Sequence, residues 1–440
     1  MTRGRVLFVD DEPRILDGLR RSLRAKRADW DMSFATSGAA ALELLAHSPH
    51  DVIVSDMRMP KMDGAELLSH VGARHPEVAR VVLSGHTEAQ AAIKVAIVGH
   101  RFLTKPSEAD SLIGIITELL VRTSKDHHVE CRRIAGGVRS LPSLAQHVDS
   151  LTALLQAPGV EVSHAVQATL HNVGLTTKLL QLSNSTFFRA RQRNASVEAV
   201  VNALGVPMIQ SLVGAGQVLW ASPTWEPAIT RYLGTAWRHA VATAYLVELM
   251  ASPANRPYAQ AAALLQDVGR LVCLASPPAD SDPAVDVMAA DWHGVPFRDV
   301  GLELLHLWGL PAPIVTAVAE RDRHHQAAAS GLGIAAVVRT AHLLLQQTDS
   351  CDPHDDTHDD ELAELLSHPQ LKAPGVDWST AAERASARAG DWAPPCSSAK
   401  SAADLGSGCP MGQISRGPDR RENRRQRRAS GVGAQEGGKP

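Results

Sequence analysis

Carboxylates, a hydroxyl and an ammonium group fall at the ends of four apolar runs in the N-terminal part of the chain. Val6-Leu7-Phe8-Val9 leads into Asp10-Asp11. A second apolar run ends in Ser55-Asp56-Met57-Arg58-Met59-Pro60-Lys61-Met62-Asp63-Gly64. Val81-Val82-Leu83 leads into Ser84, and Phe102-Leu103-Thr104 leads into Lys105-Pro106. If the runs are strands of an open parallel sheet, all these polar residues share the carboxyl edge, where such sheets build their sites. The set is what is needed to bind a hard divalent cation and to load a carboxylate with phosphate. Magnesium takes one or two carboxylates together with phosphate oxygens and water. Asp11 and Asp56 suit that role, with Asp10 acting through water and the Arg58 backbone carbonyl close by. Asp56 can attack a phosphoryl donor to form an acyl phosphate. Magnesium and Lys105 would neutralise the equatorial oxygens, and Ser84 could turn to hydrogen-bond the new group.

The flanking sequence must supply the elements that hold these groups. Strands are expected over 5–10, 31–35, 51–56, 79–84 and 100–104. Helical patterns lie between them at 12–27, 37–47, 63–73 and 87–98, with another after Pro106. This alternation implies βαβ units and a parallel sheet. Segment 51–56 is apolar on both faces, as a central parallel strand should be. Ser37 and Ser107 are candidate helix caps, and Glu12-Pro13 is a favoured helix start. Taken alone, Asp10 or Asp63 would also read as caps.

Over residues 4 to 122 the chain resembles the receiver domain of two-component response regulators. The resemblance rests on Asp10-Asp11, on Asp56 in a D-M-R-M-P-x-M-D-G segment, on Ser84 and on Lys105-Pro106. Phe102 stands where that family carries a rotating aromatic switch residue. The resemblance implies a five-stranded flavodoxin-like α/β fold, Asp56 as phosphoacceptor, Mg2+ as cofactor and a histidine kinase as partner. It is the resemblance, and not the spacing, that points to histidine-kinase signalling.

Composition bounds the rest. At 440 residues the chain has room for two or three domains, and its apolar content of 44% is that of a globular protein. No signal-peptide layout or membrane-length apolar run is present, so a cytoplasmic location is expected. The five cysteines, Cys131, Cys273, Cys351, Cys396 and Cys409, are too dispersed for a zinc cluster or a disulfide framework. A net charge of −3 and 4% aromatic residues argue against a nucleic-acid groove.

From Leu141 the strand signals cease and helical periodicity runs to about residue 348. Helices are expected at 142–156, 161–171, 174–184, 196–203, 205–220, 226–251, 257–275, 296–308, 311–325 and 331–348, separated by Pro- and Gly-containing breaks. Over roughly 138 to 348 this half resembles the HDOD domain, a helical relative of the HD phosphohydrolases. The matching segments are Leu141-Pro142-Ser143-Leu144, Leu175-Thr176-Thr177-Lys178-Leu179-Leu180-Gln181-Leu182-Ser183-Asn184-Ser185 and the Ala199–Gly205 stretch. They continue with Trp237-Arg238-His239, the run Ala263-Leu264-Leu265-Gln266-Asp267-Val268-Gly269-Arg270-Leu271, and Leu307-Trp308-Gly309-Leu310-Pro311. An HD phosphohydrolase holds metal with a first histidine, a His-Asp pair and a distal Asp. His239 and Asp267 match two of these positions, but Gln266 stands where the pair's histidine would be, and an amide is a poor substitute for imidazole in a divalent site. Beyond Gly301 only Glu303 and His306 offer themselves, in no ligand pattern. The resemblance therefore implies a degenerate, metal-free and catalytically inactive domain. His239 and Asp267 are expected to form a buried hydrogen-bonded pair, or Asp267 to cap a helix.

Three other groups invite functional readings. His324-His325 with His306 read as a solvated helix end, because adjacent helical histidines diverge. Asp355–Glu361 lacks calcium-loop spacing and reads as an acidic loop capping a helix over 360–367. Trp220, Trp225, Trp237, Trp292 and Trp308 read as core or interface anchors. The expected organisation is a receiver over 1–123, a linker over 124–137, an HDOD domain over 138–348, a partly helical appendage over 349–395 and a disordered tail over 396–440. The tail carries Arg420-Arg421, Arg424-Arg425 and Arg427-Arg428, and nucleic acid is expected at most weakly there. The function expected is that of a response regulator signalling through protein–protein contact, to an unnamed downstream protein or through a receiver-mediated homodimer. The alternative is a metal-dependent phosphodiesterase acting on a cyclic dinucleotide at His239 and Asp267. A DNA-binding regulator is disfavoured, since no basic recognition helix lies between 130 and 350.

Overall fold

Five parallel strands form one sheet in the order β2-β1-β3-β4-β5 in the computed structural model of the protein. They are β1 (Gly4–Val9), β2 (Trp30–Ala35), β3 (Val52–Asp56), β4 (Ala79–Ser84) and β5 (Arg101–Thr104). This is the flavodoxin-like order, and the bounds agree with the sequence expectation to within a residue. The structure describes residues 3–85, 96–105, 109–121, 128–185, 195–216, 218–221, 225–277, 283–289, 291–323, 331–349, 358–372 and 376–390. The helix expected over 87–98 falls largely outside these residues. So do the Ser107 cap, His324-His325, most of the acidic loop before Asp359, and the tail.

Register delivers the polar residues to one edge. Val9 pairs with Ser55, Asp56 with Leu83 and Ser84 with Thr104, so Asp10, Asp56, Ser84 and Lys105 leave their strands at similar heights. β3 is buried along its whole length, which accounts for its unbroken apolar character. The connecting helices start as expected. Pro13 opens helix Pro13–Ser22, where a missing N–H costs nothing. The Ser37 hydroxyl accepts from the Ala40 N–H at 3.2 Å, and Asp63 accepts from the Glu66 N–H at 2.8 Å, each satisfying an end donor.

The second half is helical, with departures from expectation: the helix expected over 205–220 ends at Gly214, just before Gly216 at φ 66°, and that expected over 311–325 ends at Glu320. The single helix expected over 257–275 is two, Arg256–Leu265 and Val268–Ala275, broken at Gln266-Asp267. The cause is tertiary. A Cβ on Gly269 would sit 1.8 Å from the Phe297 carbonyl oxygen, so the second helix packs backbone to backbone against helix Phe297–Leu307 and cannot continue the first helix's line. Next, the segment expected as a linker, 124–137, contains helix His128–Gly137. Its Arg132 is buried and paired with Glu303 at 2.6 Å, a distant partner that local composition does not reveal. The appendage contains two helices, Asp359–Leu366 and Trp378–Gly390, packed on the core. Glu361 is not part of a solvated acidic loop: it is buried against Arg339 at 3.1 Å. The Arg388 guanidinium lies over the Tyr245 ring, 4.0 Å from its centroid.

The aromatic anchors are largely internal. Trp292 and Trp308 are buried, and Trp220 meets Trp225 edge-on. Cys131 and Cys273 are buried and free. Among the described residues, no single helix is long and apolar enough to cross a membrane.

Candidate functional site

At the carboxyl edge of the sheet, the Lys105 ammonium bridges two carboxylates. Its Nζ lies 2.7 Å from Asp10 Oδ2 and 2.6 Å from Asp56 Oδ1. The second Asp56 oxygen accepts from the Arg58 N–H at 2.8 Å, and Asp10 Oδ1 accepts from the Glu12 N–H at 3.0 Å. Burial opposes the charge on Lys105, but its hydrogen bonds to Asp10 and Asp56 outweigh that and hold its pKa above the ordinary value. Lys105 N–H also donates to the Ser84 carbonyl at 2.8 Å, tying the lysine to the buried hydroxyl-bearing residue. The turn after Asp56 is tight. Lys61 adopts a positive φ of 72°, and a Cβ on Gly64 would fall 2.1 Å from the Asp56 carbonyl oxygen, so glycine is required there.

The residues expected to hold magnesium meet only in part. Among the described residues, no group of three or more His, Cys, Asp or Glu gathers closely enough to hold a metal ion. Asp11 is half-exposed beside the buried Asp10, while Asp10 and Asp56 converge through Lys105. Two carboxylates and a backbone carbonyl are all-oxygen donors, and magnesium asks for little more from protein, since it keeps waters and takes phosphate oxygens. The donor chemistry therefore fits.

Phe102, the expected switch residue, is buried with its ring over Gly99. A Cβ on Gly99 would lie 2.5 Å from Phe102 Cε1 and 2.8 Å from Val82 Cγ2. The segment Ala96–Arg101 is docked on the helical half. Lys178 Nζ donates to the Ala96 carbonyl at 3.2 Å, and Gln181 Nε2 donates to the Gly99 and His100 carbonyls, both at 3.1 Å. Arg101 donates to the His306 and Leu307 carbonyls at 2.6 and 2.9 Å, capping the end of helix Phe297–Leu307 as cations do. Gly309, at φ 74°, makes room for that guanidinium. His306 is not at a solvated helix end: its Nε2 donates to the Glu118 carbonyl at 2.6 Å. Arg80, on β4, donates to the Gly136 carbonyl at 2.7 Å. Sequence reasoning assigned no role to Arg80, Arg101, Lys178 or Gln181. Lys178 and Gln181 lie inside an expected motif, but their partners are more than eighty positions away.

The degenerate HD positions separate into different pairs. His239 Nε2 meets His342 Nδ1 at 2.7 Å. Burial, reinforced by the neighbouring His239 and Arg321, pushes His342 down to about 3, so its ring is neutral. Asp267 pairs with Arg321 at 2.7 Å and makes no side-chain cap bond. Neither the His239–Asp267 bond nor the Asp267 cap expected from sequence forms. Burial would raise Asp267, but the Arg321 charge and hydrogen bond hold it below the ordinary carboxylate value. Arg321 also binds Asp322 at 2.8 Å and the Gln266 carbonyl at 3.1 Å. Gln266 Nε2 donates to Thr243 Oγ1 at 3.1 Å. A guanidinium thus supplies the positive charge beside Asp267, and an amide stands where the pair's histidine would be. Arg321 and His342 carried no sequence signal, since each meets its partner from a distant helix or turn.

Comparison with known proteins identifies both halves. The response regulator receiver domain model matches residues 6–117, and the HDOD domain model matches residues 141–326. The chain thus carries a receiver domain followed by an HDOD domain. It is 35% identical over 117 residues to the DNA-binding transcriptional regulator NtrC of Escherichia coli, covering 26% of this chain and 24% of that protein. It is 31% identical over 161 residues to the response regulator protein PilR of Pseudomonas aeruginosa, covering 36% of each. The chain therefore spans about a quarter to a third of these relatives' own length. Among solved structures, the signal receiver domain of an HD domain-containing protein from Pseudomonas fluorescens Pf-5 is 29% identical, with 27% of this chain and 95% of that chain covered and a TM-score of 0.26. An uncharacterized protein from Neptuniibacter caesariensis is 38% identical, with 27% and 87% covered and a TM-score of 0.25.

Proposed function

We propose that the protein is a cytoplasmic two-component response regulator. A partner histidine kinase phosphorylates it on Asp56, and the signal leaves through a non-catalytic HDOD domain by contact with a downstream protein. An Asp56 carboxylate oxygen attacks the phosphorus of the donor, the bond to the donor's leaving group breaks, and an acyl phosphate results. Magnesium, held by Asp11, Asp56 and the Arg58 carbonyl with Asp10 acting through water, would supply positive charge at the phosphoryl oxygens. Lys105 turns from the Asp56 carboxylate to the phosphoryl group, and the Ser84 hydroxyl donates to it. The observation that carries this reading is the Asp10–Lys105–Asp56 bridge, because it aims a cation at the nucleophile and at the space its phosphate would fill.

The relay is short. Phe102 lies over Gly99, and the Gly99 carbonyl is held by Gln181. Turning the Phe102 ring therefore strains the contact between the receiver and the HDOD domain. Because segment Ala96–Arg101 is engaged with the HDOD domain, a receiver-mediated homodimer through that face would first require undocking. The alternative of a metal-dependent phosphodiesterase finds little support in the donor set, where Gln266 offers an amide and Asp267 is engaged by Arg321.

Acetyl phosphate with magnesium should add one acid-labile phosphoryl group to the intact protein, detected by mass. Asp56→Asn removes the nucleophile with little change of shape and should abolish the label. Equal labelling of the variant would refute the assignment.

A further inference from the structure

A cavity of about 250 Å³ opens at the break between helices Arg256–Leu265 and Val268–Ala275. Gln266, Asp267, Arg270, Arg298, Arg321 and Asp322 line it, giving its wall one more cation than carboxylates. Two helix starts meet there, Val268–Ala275 and Phe297–Leu307, and neither has a side-chain cap. Gly269 permits this meeting, since any Cβ would strike the Phe297 carbonyl. Uncapped helix starts favour anions, through both their N–H groups and the helix dipole.

A separate observation points to a ligand. Gln266 is only 6% exposed, and its Oε1 is buried without a hydrogen-bond partner. The amide's orientation follows from its neighbour. The Thr243 hydroxyl donates to the His239 carbonyl at 2.7 Å, so it must accept from Gln266 Nε2, leaving Oε1 as the free acceptor. A buried acceptor without a partner is costly, and an anion alone cannot satisfy it. The occupant must bring a negative charge for the arginines and helix starts together with an O–H or N–H for Gln266.

We propose that this cavity binds a phosphorylated sugar, free or as part of a mononucleotide, without hydrolysing it. The phosphate faces Arg298, Arg321 and the helix starts, and a sugar hydroxyl donates to Gln266 Oε1. The proposal rests on the reading of the HDOD centre as non-catalytic.

The test is isothermal titration of the full chain with ribose 5-phosphate, inorganic phosphate and ribose. Ribose 5-phosphate should bind saturably and more tightly than inorganic phosphate, and ribose should not bind. Arg298, nearly half exposed, tolerates substitution, and Arg298→Glu should weaken ribose 5-phosphate by about tenfold or more, the weight of one charged contact. Gln266→Leu should erase the advantage of ribose 5-phosphate over inorganic phosphate. No saturable binding by the unaltered protein, or equal binding by Arg298→Glu, would overturn the site. Release of inorganic phosphate from bound ribose 5-phosphate, lost in Asp267→Ala, would instead overturn the non-catalytic reading while leaving the location standing.

Discussion

Glu303→Ala lowers the unfolding free energy by about 3–5 kcal/mol, the cost of stranding one partner of a buried ion pair. Glu303 is fully buried and meets Arg132 at 2.6 Å, while Arg132 also donates to the Leu119 carbonyl at 2.9 Å. The pair thus ties three segments together: helix Phe297–Leu307 of the HDOD half, the connecting helix His128–Gly137, and the receiver's last helix, Ala109–Leu120. Removing the carboxylate leaves the guanidinium buried beside the Leu119 carbonyl. Replacing both partners by apolar residues, as in Arg132→Met with Glu303→Leu, should recover most of the loss, since the desolvation cost of both charges then disappears. Urea unfolding of the three proteins checks this. A loss below about 1 kcal/mol for Glu303→Ala, the size of an exposed pair, would show that the pair does not hold the two halves together.

Lys178 makes the same junction sensitive to pH. Its ammonium is buried, stacked over Trp308 at 4.0 Å from the ring centroid and bonded to the Ala96 carbonyl and Gln181. Arg80 lies near, and His100 is held well below its ordinary value by burial and by Arg80, so that its ring is uncharged. Burial, with a smaller contribution from Arg80, pulls Lys178 down from 10.5 to about 7. The folded-state value is the lower one, so between these limits the unfolded chain binds more protons and stability rises with pH. Below about 7 both states are protonated and the full cost of the buried charge is present. The slope from pH 7 to 9 should approach about 1.4 kcal/mol per pH unit, one proton's worth. Lys178→Met should flatten that slope and be relatively more stable at pH 7 than at pH 9. Parallel pH profiles for the two proteins would rule out Lys178 as the group responsible.

What sequence alone did not mark in Glu303 and Lys178 is their contacts, whereas much around them was legible. The strands of the receiver were placed to within a residue; β1, β3, β4 and β5 are each marked by an apolar run leading into a polar residue, and β3, buried on both faces, needs no partner to be recognised. Asp10, Asp56, Ser84 and Lys105 were found because strand ends in a parallel sheet share an edge. What escaped depends on contacts between distant segments. Apolar periodicity runs through Gln266-Asp267, and only the close approach of Gly269 to Phe297 breaks that helix. Arg132 reads as a linker charge until Glu303, 171 positions away, is placed against it. His239 and Asp267 were matched to the HD positions, but their partners His342 and Arg321 come from segments with no motif of their own. The docking of Ala96–Arg101 was hidden for a related reason: its acceptors are backbone carbonyls, which carry no residue-type signal.

We propose that the charge placed on Asp56 is read out by the contact between Ala96–Arg101 and Lys178, Gln181 and the end of helix Phe297–Leu307. Amide hydrogen exchange of the intact protein, with and without acetyl phosphate and magnesium, tests it most directly, because local opening of a docked segment appears as faster exchange. Phosphorylation should accelerate exchange in 96–101 and in helix Val173–Ser183. Asp56→Asn should abolish that change, and Phe102→Ala should leave phosphorylation intact while suppressing it. Full phosphorylation of the unaltered protein with unchanged exchange in both segments would contradict the account.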